Sequence, residues 1–74
     1  MENKLRKLFS KLGATVLSMQ VNKYPDGRYL AYVHYSIKGR ELSHDHLGTE
    51  KQLIERFSIT INANKRIINQ KTHA

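Results

Sequence analysis

Alternating apolar and polar positions between Tyr24 and Arg40 predict the strand on which the rest of the chain packs. Pro25-Asp26-Gly27 opens this stretch with a fixed φ, a carboxylate that can bond its own backbone and a residue free to take positive φ. Between two β-rich runs, these residues predict a hairpin turn. The more apolar set of alternate residues is predicted to face the core: Tyr29, Ala31, Val33, Tyr35 and Ile37.

The opposite face of this strand interleaves cations with aromatic side chains: Arg28, Tyr32, His34 and Lys38. Lys38 and Gly39 form a second candidate turn, because Gly39 can take positive φ. Aromatic rings stack on bases while cations neutralise phosphates. We therefore expect this face, together with Arg40 after the turn, to contact nucleic acid.

Two further strands are predicted beside the central one, which gives a three-stranded antiparallel sheet. Residues 14–23 alternate, and the odd set is predicted to face the core. Residues 40–47 alternate more weakly, and Leu42, His44 and His46 share one side. The odd set of the first strand is Thr15, Leu17, Met19 and Val21.

His44 and His46 have the spacing of two zinc ligands on a strand, with His34 as a candidate third ligand. The chain has no cysteine, and nothing in the sequence places His34 beside the pair. We therefore expect no metal and interpret the histidines as exposed polar residues, which add positive charge at mildly acidic pH.

Residues 2–12 predict an amphipathic helix that ends at Gly13. Its apolar residues are spaced i, i+3, i+4 and i+7, as one buried helix face requires: Leu5, Leu8, Phe9 and Leu12. Three cations form a stripe beside that face: Lys4, Lys7 and Lys11. Such a stripe can track phosphates, although it is also typical of a solvated helix face.

A second helix is predicted to begin after Gly48. Thr49 is a candidate N-cap, and Gln52 three residues later completes a capping box. Residues 58–63 are rich in β-branched side chains, so two interpretations remain open. Either one helix covers residues 49–68, which we favour, or a short helix ends near Phe57 and a fourth strand follows. Residues 70–74 are expected to fray.

These elements predict a single α+β domain over residues 1–74 with the order α-β-β-β-α. Its three antiparallel strands have one face covered by the N-terminal and C-terminal helices, and the other face open. The starting Met suggests a complete small protein.

The strong positive charge favours a polyanionic partner. Thirteen Lys and Arg against six Asp and Glu give a net charge of +7 and a pI near 10.0. Nucleic acid, an acidic protein surface or anionic lipid would satisfy that charge. The chain shows no apolar run long enough to cross a bilayer and no signal-peptide pattern. With no cysteine, these features predict a cytoplasmic protein without membrane attachment.

Enzymatic function finds little support in the sequence. The six acids show no pairing typical of acid–base catalysis, and the four glycines lie between elements rather than in a phosphate-binding loop. A chain of 74 residues also leaves little volume for a dry pocket. We expect no catalytic residues and no cofactor.

The layout resembles the double-stranded-RNA-binding domain, in which the first helix, the β1–β2 loop and the start of the second helix contact the duplex. The positions that match are Lys4, Lys7 and Lys11, then the 25–27 turn with Arg28, then Lys51. The family's Lys-Lys-x-Ala-Lys sequence at the second helix is absent, because Thr49-Glu50-Lys51-Gln52-Leu53 stands there. The resemblance implies a nucleic-acid-binding function.

Residues 24–57 also look like the arm-type DNA-binding domain of tyrosine integrases. That family has an Asp-Gly hairpin, an aromatic strand, a third strand and a helix that opens with Thr. The corresponding residues here are Asp26-Gly27, Tyr29 to Tyr35, Glu41 to His46 and Thr49 to Phe57. This resemblance implies DNA binding.

A second class of function uses the same sheet face for a protein partner. Small cysteine-free proteins that combine a sheet with helices are similar to phage or mobile-element proteins that inhibit a host machine, CRISPR inhibitors among them. Tyr and Arg are enriched at protein interfaces as well as at nucleic-acid surfaces. An unpaired edge strand also leaves room for a homodimer.

Overall fold

A three-stranded antiparallel sheet forms the centre of the fold in the computed structural model, which describes the backbone of residues 1–73 and the side chains of residues 1–68. The strands are β1 (Thr15–Lys23), β2 (Tyr29–Ile37) and β3 (Arg40–Gly48), with β2 in the middle. The core set predicted for β2 is confirmed, because Ala31, Val33, Tyr35 and Ile37 are at most 1% exposed.

Two helices pack on the face of the sheet that carries this core. Helix α1 spans Glu2–Lys11 and helix α2 spans Glu50–His73. The predicted α+β layout with the order α-β-β-β-α is therefore confirmed. The other face of the sheet is left uncovered within the part of the chain that the structure describes.

Both predicted turns are present, and Gly27 and Gly39 have the predicted positive φ. Gly27 has a φ of +89°, and the Tyr24 backbone N–H donates to the Arg28 carbonyl at 2.8 Å. Lys38 and Gly39 form a two-residue loop with φ values of +51° and +81°. Two consecutive positive φ values match the right-handed twist of the flanking strands, so this loop fixes the register of β2 against β3.

The core face predicted for β1 is wrong at its beginning, because a β-bulge interrupts the strand. Val16 pairs with Tyr35 and Ser18 pairs with His34, so Leu17 is an extra residue between two paired positions. An extra residue reverses the alternation on its N-terminal side. Val16 therefore packs against the core, whereas Leu17 is 48% exposed and Thr15 is exposed as well.

The bulge predicts unequal effects for two neighbouring truncations. Val16→Ala is expected to lower the free energy of unfolding by about 1–2 kcal/mol, because it removes half-buried methyl groups. Leu17→Ala is expected to change it by less than about 0.5 kcal/mol, because Leu17 faces solvent. Urea unfolding followed by circular dichroism measures both, and a larger loss for Leu17→Ala would contradict the bulge.

Helix α1 follows its sequence prediction closely. Leu5 and Phe9 are fully buried, and Leu8 and Leu12 pack around them. Gly13 follows the helix with a φ of +83°, which a residue with a Cβ rarely adopts.

Helix α2 confirms the long-helix alternative over the short helix with a fourth strand. The capping box forms: the Thr49 backbone N–H donates to Gln52 Oε1 at 2.9 Å, and the Gln52 N–H donates to Thr49 Oγ1 at 3.3 Å. The helix then continues through residues 58–63, because Ile61 is fully buried in line with Leu53 and Phe57. Burial at helical spacing thus outweighs the β propensity of that segment.

The expected fraying of residues 70–74 stays a prediction. Helix α2 extends to His73, but the side chains beyond residue 68 and the whole of residue 74 lie outside the described part of the chain.

Three aromatic rings join the two helices to the sheet. The Phe9 ring of α1 meets the Tyr35 ring of β2 edge-on, with centroids 5.1 Å apart. The same Phe9 ring lies 5.5 Å from the Phe57 ring of α2. One side chain of α1 therefore contacts both α2 and the sheet, and all three rings are fully buried.

Candidate functional site

The open face of the sheet places Tyr32 and His34 at its centre. Residues directly opposite each other in antiparallel strands share a face, so the pairing register gives the layout of this surface. One row across the sheet contains Gln20, Tyr32 and Asp45, and the next contains Ser18, His34 and Ser43. Most of the neighbours of the two central residues are therefore uncharged polar side chains.

The two predicted cations of β2 lie at opposite ends of this face. Lys38 is in the β2–β3 turn, and Arg28 is in the β1–β2 turn. The Arg28 Nε donates to Asp26 Oδ2 at 2.7 Å, and its backbone N–H donates to Asp26 Oδ1 at 3.0 Å. These two bonds hold the pKa of the Asp26 carboxyl below its ordinary value. The Arg28 charge is thus partly balanced at the turn.

Acidic side chains share the open face with His34. His34 Nε2 lies 3.4 Å from Glu41 Oε1, an ion pair whenever the imidazole is protonated. Asp45 lies directly opposite Tyr32 in the neighbouring strand. The cations predicted for this face come from β2 and its turns, whereas these acids come from β3. The alternation of β3 places Glu41 and Asp45 on the side opposite Leu42. The pairing with β2 brings them onto the face that carries Tyr32 and His34.

Arg40 lies on the other side of the sheet from Tyr32. It pairs with Ile37, whose side chain is buried beneath the helices, and paired residues point to the same side. Arg40 is exposed at the end of β3. The structure therefore separates Arg40 from the other predicted contact residues of the sheet.

The open face also carries exposed apolar side chains. Leu17 at the bulge is 48% exposed, Tyr32 is 43% exposed and Leu47 is 38% exposed. Leu47 pairs with Leu30 of β2, and Leu30 in turn pairs with Asn22 of β1. The surface is thus a mixture of apolar, uncharged polar and acidic side chains, with its cations at the ends.

The lysine stripe of α1 lies in the helical layer, on the far side of the sheet from Tyr32. Lys4 forms an ion pair with Glu50 at the start of α2. The hydrogen bond and the opposite charge raise the pKa of Lys4 and lower that of the Glu50 carboxyl. Lys7 and Lys11 share the stripe with Lys4, and both side chains are exposed.

A second lysine bridges the two helices at the other end of α1. Lys65 Nζ donates to the Leu12 carbonyl at 2.8 Å. This bond provides a partner and a positive charge for a carbonyl at the C-terminal end of α1. Lys4 and Lys65 therefore tie α1 to α2 at its two ends, and the exposed Lys7 and Lys11 lie between them.

His44 and His46 are half-buried beneath α2, so the expectation that they are exposed is wrong. His44 Nε2 lies 3.2 Å from Asn64 Nδ2, and His46 Nε2 lies 3.0 Å from Thr60 Oγ1. The His46 ring also meets the Phe57 ring edge-on at 4.7 Å. Burial, followed by the nearby charges of His44 and Arg56, lowers the pKa of His46.

The three-histidine arrangement considered from the sequence does not form. His34 is on the open face and the His44–His46 pair is on the helix side, so the sheet separates them. Within the described residues, no group of three or more His, Cys, Asp or Glu side chains could hold a metal ion.

Comparison with protein-family models, with curated protein sequences and with solved structures found no match to this chain. Neither helix, over the residues described, combines the length and the apolar composition needed to cross a membrane.

Proposed function

We propose that this is a small, non-enzymatic nucleic-acid-binding protein. The observation that supports it is the positive charge that remains after ion pairing. The net charge is +7, and the ion pairs among the described side chains leave the exposed Lys7 and Lys11 without an acidic partner. A phosphate backbone is the partner that such a surplus suits best.

The lysine stripe of α1 is proposed as the main phosphate contact. Lys7 and Lys11 are one helical turn apart on an exposed flank, where flexible ammonium groups can reach successive phosphates. Lys4 shares its charge with Glu50, so it contributes less than its two neighbours. Lysine contacts to phosphate give affinity without sequence preference.

The open sheet face is proposed as the second contact. Tyr32 and His34 offer rings for stacking at its centre, and Arg28 and Lys38 offer positive charge at its two ends. Arg40 adds charge at the sheet end that also holds Lys38. Because Glu41 and Asp45 repel phosphate, this face contributes less binding energy than the stripe.

The alternative function is that of a protein-binding inhibitor, of the kind that phages and mobile elements direct against host machines such as CRISPR systems. The mixture of side chains on the open face favours it. Leu17, Tyr32 and Leu47 are exposed among uncharged polar residues, with acids at one side. Protein interfaces also combine apolar, aromatic and polar side chains.

Titration against labelled single- and double-stranded DNA and RNA at several salt concentrations tests the proposal. Binding is expected to weaken steeply with salt, with a slope set by the number of phosphates that the protein neutralises. Lys7→Gln with Lys11→Gln should reduce that slope by roughly 0.7–0.9 for each phosphate that is no longer neutralised. Arg6→Gln with Lys23→Gln removes the same charge away from the stripe, so it should change the slope less.

Each outcome separates the two proposed surfaces from each other and from the alternative. A large drop in affinity for Tyr32→Ala with Arg28→Ala, and none for the lysine pair, would move the main contact to the sheet. Equal drops for the lysine pair and its matched control would mean that net charge alone drives binding. No binding to any of the four nucleic acids at low salt would refute the proposal and leave the protein-binding alternative.

A further inference from the structure

Helix α2 carries two exposed isoleucines. Ile59 is 70% exposed and Ile67 is 49% exposed, although large apolar side chains on a helix usually turn toward the core. Beside Ile59 lies a shallow hollow of about 220 Å³. Its walls are Ile59, Asn62, Ala63 and Arg66, all from α2.

These four residues have the spacing of a hole in knobs-into-holes helix packing. They occupy positions i, i+3, i+4 and i+7. In knobs-into-holes packing, four residues with this spacing on one helix form a hole that receives one side chain of the partner helix. The small Ala63 side chain contributes little bulk to the wall of the hollow. An apolar knob is available on the same helix, because Ile59 projects from the rim.

We infer that α2 is a homodimer interface, in which two copies of the chain pack their α2 helices antiparallel about a two-fold axis. Each Ile59 then enters the hollow of the other copy. A two-fold interface requires one patch to be complementary to itself, and a patch that contains both the knob and the hole meets that requirement.

Charge complementarity supports the antiparallel direction. In this arrangement, Ile59 of one helix lies opposite the middle of the hollow on the other helix. Because the two helices run in opposite directions, the residue one turn before Ile59 on the first helix faces the residue one turn after the middle of the hollow on the second. Glu55 therefore lies opposite Arg66 of the second copy, and symmetry repeats the pair. In a parallel arrangement with the same register on both helices, each of these charges would face its own like charge.

The dimer and the nucleic-acid proposal respond oppositely to salt. Two copies that each carry a charge of +7 repel one another, so added salt should strengthen dimerisation. Salt weakens phosphate contacts instead. One helix pair buries less than the roughly 1,200–2,000 Å² of a standard interface, so the dimer should form only at high protein concentration.

Sedimentation equilibrium over a range of about 10 µM to 1 mM, at low and moderate salt, tests this interface. The unmodified chain is expected to dimerise toward the upper end, and Ile59→Asp to remain monomeric while keeping its circular dichroism spectrum. Leu17→Asp is the matched control, because it places the same charge on another exposed apolar position at the edge strand β1. A chain that is monomeric throughout would overturn the inference, and so would a dimer abolished in the control but kept in Ile59→Asp.

A charge exchange tests the register. Glu55→Arg and Arg66→Glu should each weaken the dimer severalfold, because each brings like charges together across the interface. The double variant exchanges both charges and should restore dimerisation. Because both residues are exposed, we expect these substitutions to leave the fold intact. Failure of the double variant to recover would contradict the antiparallel pairing of Glu55 with Arg66.

Discussion

Phe57→Ala is expected to destabilise the protein by about 3–5 kcal/mol, as removal of a fully buried aromatic ring usually does. The Phe57 ring contacts the Phe9 ring of α1 at 5.5 Å and the His46 ring of β3 at 4.7 Å. Its removal opens a cavity where both helices meet the sheet. A domain of 74 residues has a small free energy of unfolding, so we expect the variant to be largely unfolded at room temperature.

Urea unfolding followed by circular dichroism measures this effect, with Ile59→Ala as the control. Ile59 is two residues further along the same helix and is 70% exposed, so its truncation should cost less than about 0.5 kcal/mol. Similar destabilisation in the two variants would show that the Phe9–Phe57–Tyr35 junction is not the centre of the core.

The sequence predicted the fold where one pattern ruled out the alternatives. In β2, strict alternation between two turn signals defined the strand, its core face and both hairpins, and the structure agrees at each of these points. The capping box at Thr49 and Gln52 located the start of α2 for a similar reason, because it needs specific side chains at a fixed spacing.

The features of the fold that the sequence did not predict depend on packing between distant parts of the chain, which no local pattern contains. The bulge at Leu17 adds one residue to β1 relative to β2, and only the pairing partner across the sheet reveals it. The burial of His44 and His46 depends on where α2 crosses β3, which places Thr60 and Asn64 above the two rings. The alternation in β3 indicated that His44 and His46 lie on the same side of the strand, but it did not indicate that α2 covers that side.

The sequence predicted individual residues of the candidate site, but it did not predict how the folded chain arranges them on its surface. The side chains predicted for the open face and the lysine stripe are accessible, because Arg28, Tyr32 and Lys38 are exposed, His34 is half-buried and the three lysines of α1 are exposed. The sequence could not show that Glu50 binds Lys4, because these two residues are far apart in sequence and meet only in the folded chain. The consequence is that the surplus charge of α1 is a stronger argument for nucleic-acid binding than the sheet face is.

Stability is expected to fall as the pH drops below about 6.5, because His46 must accept a proton beneath α2. Its Nε2 lies 3.0 Å from Thr60 Oγ1, and its ring packs against Phe57. Burial, and then the charges of His44 and Arg56, lower the pKa of His46 in the folded chain, while the nearby Asp45 raises it by a smaller amount.

The direction of the effect follows from proton linkage. Below its ordinary pKa of about 6.5, the unfolded chain takes up a proton on His46 that the folded chain resists. The stabilising contribution of neutral His46 is therefore complete above that pH, and it disappears as the pH falls through the lowered pKa of the folded state. The carboxyl groups of Asp26 and Glu50 have pKa values below their ordinary ones, so they titrate at lower pH.

Thermal unfolding between about pH 7.5 and 5.5 covers the histidine range and avoids the carboxyl range. A decrease of about 1 kcal/mol in stability should lower the midpoint of a domain this size by roughly 4–8 °C. His46→Gln keeps a polar group near Thr60 but cannot titrate, so its midpoint should depend less on pH. His34→Gln, on the open face, is the matched control and should retain the full dependence. If His46→Gln retained it as well, the destabilising proton would have to bind elsewhere.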